Sequence, residues 1–360
     1  MKYTFSNIIG FSAILIIANV TNVFSQVTLD ADGPGSTYEL ITSVLAPGYD
    51  PVEEPDCSHT AFGRHIDELY DNDLGINVFR FFMHASPDND RCINFDRQRN
   101  EIKSYDQSPD NLLGIEDETV QYKWKFKIDA GFQVSPNFTH LHQLKSVGGS
   151  LESMPMYTLT ARKGTPDRLE LRYAETNTQI TLQQTDLAPL KGTWLEVTET
   201  IKYGTSGTYE IEIKKVDDGS VLFNYSNSSI INWRPDADFV RPKWGIYRSL
   251  INVVDLRDEE VFFANFSIEE VGPLSSTEFE LSNNSIKLVP NPTNGIAFIE
   301  ETRSNSFDSI KLYDSSGRFI KYLNSSLNNS IDLTYFKNGL YFVAFKKGNN
   351  TISIQKLLIN

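Results

Sequence analysis

Residues 122–128 read Tyr-Lys-Trp-Lys-Phe-Lys-Ile, with an aromatic or aliphatic side chain at every second position and a lysine between. Successive side chains of a β-strand point to opposite faces, so this stretch predicts a strand with one buried and one wet face. The same kind of alternation recurs at residues 169–173, 194–201 and 209–213. Many such strands and few helical patterns predict an all-β fold, a concanavalin-like two-sheet sandwich or jelly roll, over residues 26–271.

Composition agrees with a globular β-rich protein and narrows its partners. Hydrophobic residues make up 40% and aromatic residues 12% of 360 residues, which disfavours disorder. The formal net charge of −14 disfavours nucleic acid as a partner. It does not exclude an anionic substrate, because a cleft can be locally basic on an acidic protein. One short helix is expected near residues 61–70.

The first residues have the pattern of an export signal. Lys2 supplies the positive start, and a mostly apolar run follows from Ile8 to Val20. Small residues near Ser25 predict cleavage after residue 25. The run is too short and too interrupted to span a membrane, and no later segment is expected to span one. We therefore expect an exported protein.

The two cysteines, Cys57 and Cys92, both lie in the exported part. An oxidising compartment favours a disulfide between them over two free thiols. A metal site would need more cysteine or histidine ligands at close spacing, which the sequence does not show. Asp30 and Asp32 form a weak candidate site for a structural calcium ion, and no cofactor is expected to be required.

Three stretches have the residue types needed to bind or cut an anionic chain. Residues 96–105 predict a strand with Arg97, Arg99, Glu101 and Lys103 on one face, either a wall that binds carboxylate or sulfate groups or a solvated face with cross-strand ion pairs.

The second stretch, residues 139–145, holds four polar side chains. Strict alternation would place His140 and His142 on one face and Gln143 and Lys145 on the other. Zinc binding by the two histidines lacks an obvious third ligand.

The third stretch, residues 241–248, places Lys243, Gly245 and Tyr247 on one face, where the glycine would let a sugar ring lie close. Arg248 ends this stretch, and Lys125, with its neighbouring lysines on residues 122–128, is a further candidate for the substrate surface. An ordinary packed strand and a solvated lysine row are the structural alternatives.

The C-terminal residues resemble a known secretion domain. A small polar linker at residues 272–284 precedes Pro-Asn-Pro-Thr-Asn-Gly (290–295), Asp-Ser-Ser-Gly-Arg (314–318) and Asn-Gly-Leu-Tyr-Phe (338–342). Residues alone predict a small β-sandwich of hairpins over residues 285–360. These motifs also resemble the C-terminal sorting domain of the type IX secretion system, which implies the type IX machinery as a partner, and secretion or surface attachment.

The remaining part resembles jelly-roll polysaccharide lyases. These carry three motifs in order, Arg-x-Glu-Leu-Arg, Gln-Ile-His and Lys-x-Gly-x-Tyr. This chain has Arg99-Asn-Glu-Ile-Lys103, His140-Leu-His142 and Lys243-Trp-Gly-Ile-Tyr247. The sequence around these motifs is similar to that of the ulvan lyases of marine flavobacteria, polysaccharide lyase family 28. His140 stands where the general pattern has Gln, and a shifted frame over Gln143-Leu-Lys145 also matches.

The resemblance implies cleavage of a uronate-containing, sulfated polysaccharide by β-elimination. By that likeness Tyr247 protonates the leaving oxygen and His142 or Tyr247 removes the C5 proton. Substrate binding is assigned to eight further residues: Arg97, Arg99, Lys125, His140, Gln143, Lys145, Lys243 and Arg248. Lys243 would place a positive charge near the tyrosine.

Two other functions fit the same fold, a glycoside hydrolase and a non-catalytic polysaccharide-binding protein. A hydrolase of this fold would need closely spaced carboxylates of the type Glu-x-Asp-x-x-Glu on one strand, which the sequence does not contain.

Overall fold

A computed structural model of the chain describes residues 26–271, 286–301, 307–315, 319–323, 329–347 and 350–360. The predicted export signal and linker lie outside the described residues. Contacts divide the described residues between two compact units, one within Phe24–Gly272 and the other within Pro273–Asn360. No helix in the described ranges is long and apolar enough to cross a membrane.

The first unit is built almost entirely from strands. It has one α-helix, α1 (Thr37–Leu45), and short 3₁₀ turns at Asp56–Ser58, Asp110–Leu112, Ala188–Leu190 and Val253–Asp255. Its strands are β1 (Gln26–Leu29), β2 (Val52–Glu53), β3 (Ile66–Asp71), β4 (Ile76–Met83), β5 (Arg97–Lys103), β6 (Thr119–Ile128), β7 (Thr139–Val147), β8 (Tyr157–Arg162), β9 (Arg168–Tyr173), β10 (Ile180–Asp186), β11 (Leu195–Lys202), β12 (Gly207–Lys215), β13 (Val221–Ile230), β14 (Phe239–Ser249) and β15 (Glu259–Glu270).

These strands form the two antiparallel sheets of a jelly roll. An eight-stranded sheet has the order β13-β12-β11-β6-β15-β4-β3, with β1 paired to β15. A seven-stranded sheet has the order β10-β9-β8-β7-β14-β5-β2. The predicted two-sheet fold is therefore confirmed, and the alternating stretch at residues 122–128 lies in β6.

The core lies between the inner faces of the two sheets. Trp124 of the eight-stranded sheet packs against Trp244 of the seven-stranded sheet, with ring centroids 6.0 Å apart. Tyr157 and Tyr209 stack across the same layer at 4.1 Å. The apolar half of β6 is thus buried as the alternation predicts, and the other face of the seven-stranded sheet is left to carry polar side chains.

The prediction of a helix near residues 61–70 is wrong. That segment contains a turn and then β3, which pairs with β4 so that Ile66 lies opposite Phe81. Pairing with the next strand overrides the local helical pattern, because it buries Ile66 in the core. The helix occurs earlier, in α1, where Thr37, Ile41 and Leu45 lie four residues apart and form its buried face.

The second unit is a small β-structure with its own apolar core, including Ile310, Leu312, Val343 and Phe345. Its strands are β16 (Ile286–Val289), β17 (Ile296–Glu301), β18 (Ser309–Tyr313), β19 (Phe319–Leu323), β20 (Ser330–Asp332), β21 (Gly339–Lys347) and β22 (Asn350–Ile359). They form sheets of the order β16-β17-β20 and β19-β18-β21-β22. Two small sheets agree with the β-rich C-terminal unit expected from the sequence.

Candidate active site

The three sequence motifs lie on neighbouring strands of the seven-stranded sheet. The register places Tyr247 of β14 opposite Arg99 of β5 on one side and opposite His140 of β7 on the other. His140 in turn lies opposite Thr160 of β8. These side chains form a row on the face of the sheet that points away from the core, which we call the open face.

A second row on the open face runs parallel to the first. Lys243 of β14 lies between Lys103 of β5 and Gln143 of β7. Gln143 lies opposite Thr158 of β8. Two adjacent rows of polar side chains thus cross four strands, and their length suits a chain of sugar residues laid across the sheet.

Tyr247 is held between aromatic and cationic groups. Arg97 Nη1 donates a hydrogen bond of 3.0 Å to the hydroxyl oxygen. The guanidinium of Arg99 lies 3.7 Å from the ring centroid, a cation–π contact. Phe138 and His140 flank the ring at centroid distances of 5.0 and 5.7 Å. The phenol proton is left free for another acceptor, because the arginine supplies the proton in its own hydrogen bond.

Beneath this row lies a network of buried charges centred on Glu53 and Glu101. Glu53 accepts hydrogen bonds from Arg91, Arg99, Lys103 and Lys243, and Glu101 accepts them from Arg99, Lys243 and Gln143. Burial alone would raise the pKa of Glu53, but the ammonium of Lys243 and the guanidinium of Arg99 lower it below its usual range.

Lys243 was expected to lie near Tyr247. It is instead a fixed part of this buried network, away from the tyrosine hydroxyl. Its ammonium is bound by Glu53 and Glu101. Burial lowers the pKa of Lys243 to about 8, although both carboxylates oppose the shift. The cation at the tyrosine hydroxyl is Arg97 instead. Two alternatives were considered for residues 96–105, a wall that binds anions and a face with cross-strand ion pairs. The ion pairs of the second alternative are present on β5.

His140 and His142 do not share a face, so the alternation predicted for β7 is wrong. The pairing of β7 with β8 shifts between these two residues, so a β-bulge interrupts the period of two. As a result His140, Gln143 and Lys145 all belong to the open face. The shifted frame over residues 143–145 is therefore the one that the strand follows.

His142 lies in the core between the sheets. Its Nε2 is 2.8 Å from Glu199 of β11, and its ring packs against Trp124 at a centroid distance of 4.4 Å. A group in this position cannot reach a substrate on the open face. The role of His142 as a catalytic base is therefore withdrawn.

His140 has the environment of a neutral base. Its Nδ1 is 2.8 Å from the hydroxyl of Thr160, and its ring stacks on Phe138 at 4.8 Å. Burial, together with the nearby guanidinium of Arg162, lowers the pKa of His140 to about 3. The imidazole is thus uncharged at neutral pH. No hydrogen bond of Nε2 occurs within the described part of the chain, which leaves this nitrogen available to a ligand.

Two other predicted substrate-binding residues lie elsewhere. Lys125 is on β6 in the eight-stranded sheet, where its ammonium contacts Asn265 at 3.0 Å and Glu196 at 3.6 Å. Arg248 is fully buried on the core side of β14, where its Nε donates to Gln98 over 2.7 Å. Neither side chain reaches the open face. Lys125 belongs to the other sheet, and Arg248 follows Tyr247 directly in β14, so its side chain points to the opposite face.

Lys145 and Arg97 are among the cations of the open face that remain free enough to bind an anion. The ammonium of Lys145 has no carboxylate partner among the described residues, and its pKa is lowered by burial and by Arg241. Arg97 keeps about a third of its side chain exposed (35%), and within the described ranges its one ion pair is with the exposed Asp96. Arg97 lies next to the row of Tyr247 and His140, whereas Lys145 lies opposite Arg241, beyond the row of Lys243 and Gln143.

Gly245 serves strand pairing and not access of a sugar. Its φ of +146° is unfavourable for other residues. A Cβ atom there would collide with the backbone of Asn100 and Glu101 in β5. The glycine therefore lets β14 approach β5, which keeps Arg99 in contact with the ring of Tyr247.

The disulfide between Cys57 and Cys92 is present, with Cα atoms 6.2 Å apart, as predicted. It joins the turn after β2 to the loop before β5, close to Glu53 and Asp90. Asp90, which accepts a 3.0 Å hydrogen bond from Arg99, and Glu53 were both missed by sequence reasoning. No local pattern marks them, since each lies in a segment without alternation.

The two residues of the candidate calcium site have other surroundings in the structure. Asp30 accepts a hydrogen bond from Asn265, and Asp32 is exposed.

Comparison with known proteins identifies the second unit. Residues 287–360 match the family described as "Secretion system C-terminal sorting domain". The chain is therefore an exported protein, secreted or attached to the cell surface, as the sequence motifs predict. Among curated proteins no sequence matches the chain.

Several solved structures are similar to the first unit at low identity. An endo-β-1,4-glucuronan lyase from the fungus Trichoderma reesei is 15% identical over 63% of this chain and 92% of that enzyme, with a TM-score of 0.45. A marine PL-14 alginate lyase from Aplysia kurodai is 13% identical over 68% and 98%, with a TM-score of 0.47. The family 7 alginate lyase A1-II′ is 13% identical over 61% and 91%, with a TM-score of 0.41. Similarity at this level does not establish a shared activity.

Proposed function

We propose that the chain is a secreted polysaccharide lyase that cuts a uronate-containing anionic polysaccharide, of the sulfated ulvan type, by β-elimination. The observation that carries the proposal is the row on the open face in which Tyr247 lies between Arg99 and His140, with Arg97 at its hydroxyl. An acid, a neutral base and two guanidinium groups are thus in contact on one surface.

The reaction needs these groups for definite steps. A base removes the proton at C5 of the uronate, the C4–O bond breaks, a C4–C5 double bond forms, and an acid protonates the departing oxygen. Negative charge builds on the uronate carboxylate while the proton leaves, so cations beside that carboxylate lower the barrier. The phenol of Tyr247 can supply the proton to the oxygen, and neutral His140 can accept the proton from C5.

Stereochemistry decides whether one residue or two are used. In glucuronate the proton and the leaving oxygen are on the same side of the ring, where Tyr247 alone could serve both steps. In iduronate they are on opposite sides, which calls for His140 as base and Tyr247 as acid. Ulvan contains both uronates, so the pair suits such a substrate.

The charge of the open face supports an anionic substrate. Basic residues outnumber acidic ones there although the whole chain carries a net charge of −14. The cations on or beside it are Arg91, Arg97, Arg99, Lys103, Lys145, Arg162, Arg168, Arg172, Arg241 and Lys243, and the carboxylates are Glu53, Asp90, Asp96, Glu101, Glu170 and Asp186. Lys145 and Arg97 are the groups best placed to bind a uronate carboxylate or a sulfate.

The carboxylates of this face do not favour glycoside hydrolysis. A hydrolase needs one carboxyl group as acid and a second as base or nucleophile. Glu53 and Glu101 are both bound by several cations beneath the surface, which leaves neither one able to fill these roles.

Product analysis on a panel of polysaccharides tests the proposal. The purified enzyme would be incubated with ulvan, alginate, heparin and glucuronan. A lyase yields a new double bond at the non-reducing end, detected as ultraviolet absorbance, in step with new reducing ends. New reducing ends without ultraviolet absorbance would indicate a hydrolase, and binding without either product would indicate a non-catalytic protein.

A further inference from the structure

A cluster of potential metal ligands lies on the other side of β5 from the open face. Its members come from the loop after β2, the start of β3 and the loop after β4, and they are His59, His65, His84 and Asp88. One ligand atom from each lies within 4.8 Å of the others. Three of the five histidines of the chain are therefore gathered at one point. We call this group the three-histidine cluster.

The nitrogen–oxygen distances around Asp88 are close to the spacing of ligands on one tetrahedral ion. Asp88 Oδ1 lies 3.1 Å from His59 Nδ1 and 3.3 Å from His65 Nε2. Asp88 Oδ2 lies 3.1 Å from His84 Nδ1. Ligands bound at about 2.0–2.1 Å to a tetrahedral zinc ion are separated from one another by roughly 3.3 Å. The nitrogen–oxygen spacing thus needs little adjustment to accept an ion.

The hydrogen bonds of His65 supply independent support. Its Nδ1 is 2.7 Å from Asp56 Oδ1, so the proton of the ring is best placed on this nitrogen. Its Nε2 is fully buried, points into the cluster and has no hydrogen-bond partner of good geometry among the residues that the structure describes. A buried ring nitrogen that lacks a well-formed hydrogen bond costs free energy unless another group satisfies it. A carboxylate bound to the outer nitrogen of a metal-binding histidine is the usual arrangement in zinc sites.

We propose that the three-histidine cluster binds one zinc ion with a structural role. Three imidazole nitrogens and one carboxylate oxygen are ligands typical of zinc, whereas calcium and magnesium prefer oxygen ligands alone. Four protein ligands complete a tetrahedron, which is the arrangement of a structural and not of a catalytic zinc site.

The position of the cluster indicates what the ion stabilises. Gln98 Nε2 donates to the backbone oxygens of His84 and Asp88, and Asn100 Nδ2 donates to that of His65 over 2.8 Å. Gln98 and Asn100 alternate along β5 with the arginines of the open face. The disulfide between Cys57 and Cys92 closes the same loops covalently. The ion would therefore fix the loops against which the arginine-bearing strand is packed.

Metal content of the full exported chain, purified without a polyhistidine tag, tests the proposal. The protein would be incubated with zinc sulfate, passed through a desalting column and analysed by elemental mass spectrometry. We expect about one zinc per chain, and cobalt bound in its place should show the intense visible absorption of tetrahedral coordination. A strong zinc chelator should lower Tm, and added zinc should restore it. Zinc at background level in the wild-type protein, or calcium bound in its place, would overturn the proposal.

Matched variants assign the ligands. His84→Gln should reduce bound zinc to background, while His140→Gln, the same change on the open face, should leave zinc content unchanged. His59→Gln, at the half-buried edge of the cluster, provides a second test should the first variant fold poorly. Asp56→Asn should weaken zinc affinity about 10- to 100-fold, because it removes the carboxylate that supports Nδ1 of His65 and is not itself a ligand in the cluster. Full zinc content in both cluster variants would show that the ion binds elsewhere and would contradict the assignment.

Discussion

Each sheet has a strand on which cations alternate with inward-facing residues, β6 in the eight-stranded sheet and β5 in the seven-stranded sheet. The sequence pattern of the two strands is similar. On β6, Lys125 and Lys127 pair at the surface with nearby acids, Lys125 with Glu196 at 3.6 Å and Lys127 with Asp73 at 2.9 Å. On β5, Arg99 and Lys103 converge with Lys243 on two buried carboxylates, Glu53 and Glu101. Alternation thus predicts which face a charge occupies, but not whether the charge stays solvated or becomes part of a fixed site.

The largest effect is expected at the hydroxyl that the fixed row presents. Tyr247→Phe removes one oxygen and preserves the ring that packs on Arg99 and Phe138. Since general acid–base groups contribute about 100- to 10,000-fold, kcat should fall by that factor while substrate binding and Tm change little. Tyr70→Phe, at an exposed tyrosine of the eight-stranded sheet, is the control and should act like the wild type. Activity of Tyr247→Phe within a few-fold of wild type would refute its role as the acid.

Removing a carboxylate that pairs with the cations should destabilise the protein more on β5 than on β6. Glu53→Gln leaves several buried cations without their counter-ion and should lower the free energy of unfolding by about 3–5 kcal/mol. Glu196→Gln, which removes the partner of Lys125 on the other sheet, should cost about 0–1 kcal/mol. Denaturant titrations measure both. Equal losses would mean that the buried network is no more coupled than the solvated row.

The two histidines of β7 offer a comparison within one strand. His140→Gln should lower kcat on an iduronate-rich substrate by roughly 100-fold and leave the fold intact. His142→Gln should instead lower the free energy of unfolding by about 1–3 kcal/mol, because it disturbs the buried contact with Glu199. Steady-state kinetics combined with thermal unfolding distinguish the two. A kinetic loss confined to the His142 variant would restore that residue as the base.

The lowered pKa of His140 predicts a dependence of stability on pH. The unfolded histidine has a pKa near 6.5 and the folded one a pKa of about 3, so the unfolded state binds the proton more readily between these values. The free energy of unfolding should therefore fall as pH falls from about 6.5 towards 3, by at most about 1.4 kcal/mol per pH unit from this group. The decrease should be shallower in His140→Gln. Identical pH profiles would mean that His140 is not buried as a neutral imidazole.

The sequence predicted strands well where burial follows a period of two, and poorly where pairing is irregular. Residues 122–128, 169–173 and 209–213 lie within strands because one side of each packs into the core. The bulge in β7 could not be predicted, since it depends on how β8 aligns with that strand. It moved His142 into the core and brought Gln143 and Lys145 to the open face.

The site itself was predicted in part for a similar reason. Arg99, His140, Lys243 and Tyr247 were found because each lies on a strand with recognisable motifs. Glu53 was missed because it lies on a two-residue strand with no periodic pattern, 46 positions before Arg99 in the chain. Long-range partners of this kind are set by the fold and not by local sequence.

The most direct test of the central claim compares a uronate polysaccharide with its carboxyl-reduced form. β-Elimination depends on the carboxylate, because that group makes the C5 proton acidic and is the one that the open face would neutralise. We predict that the wild-type enzyme forms an ultraviolet-absorbing product from the uronate polymer and none from the reduced polymer, which has the same glycosidic bonds. Cleavage of both polymers at similar rates would contradict the account.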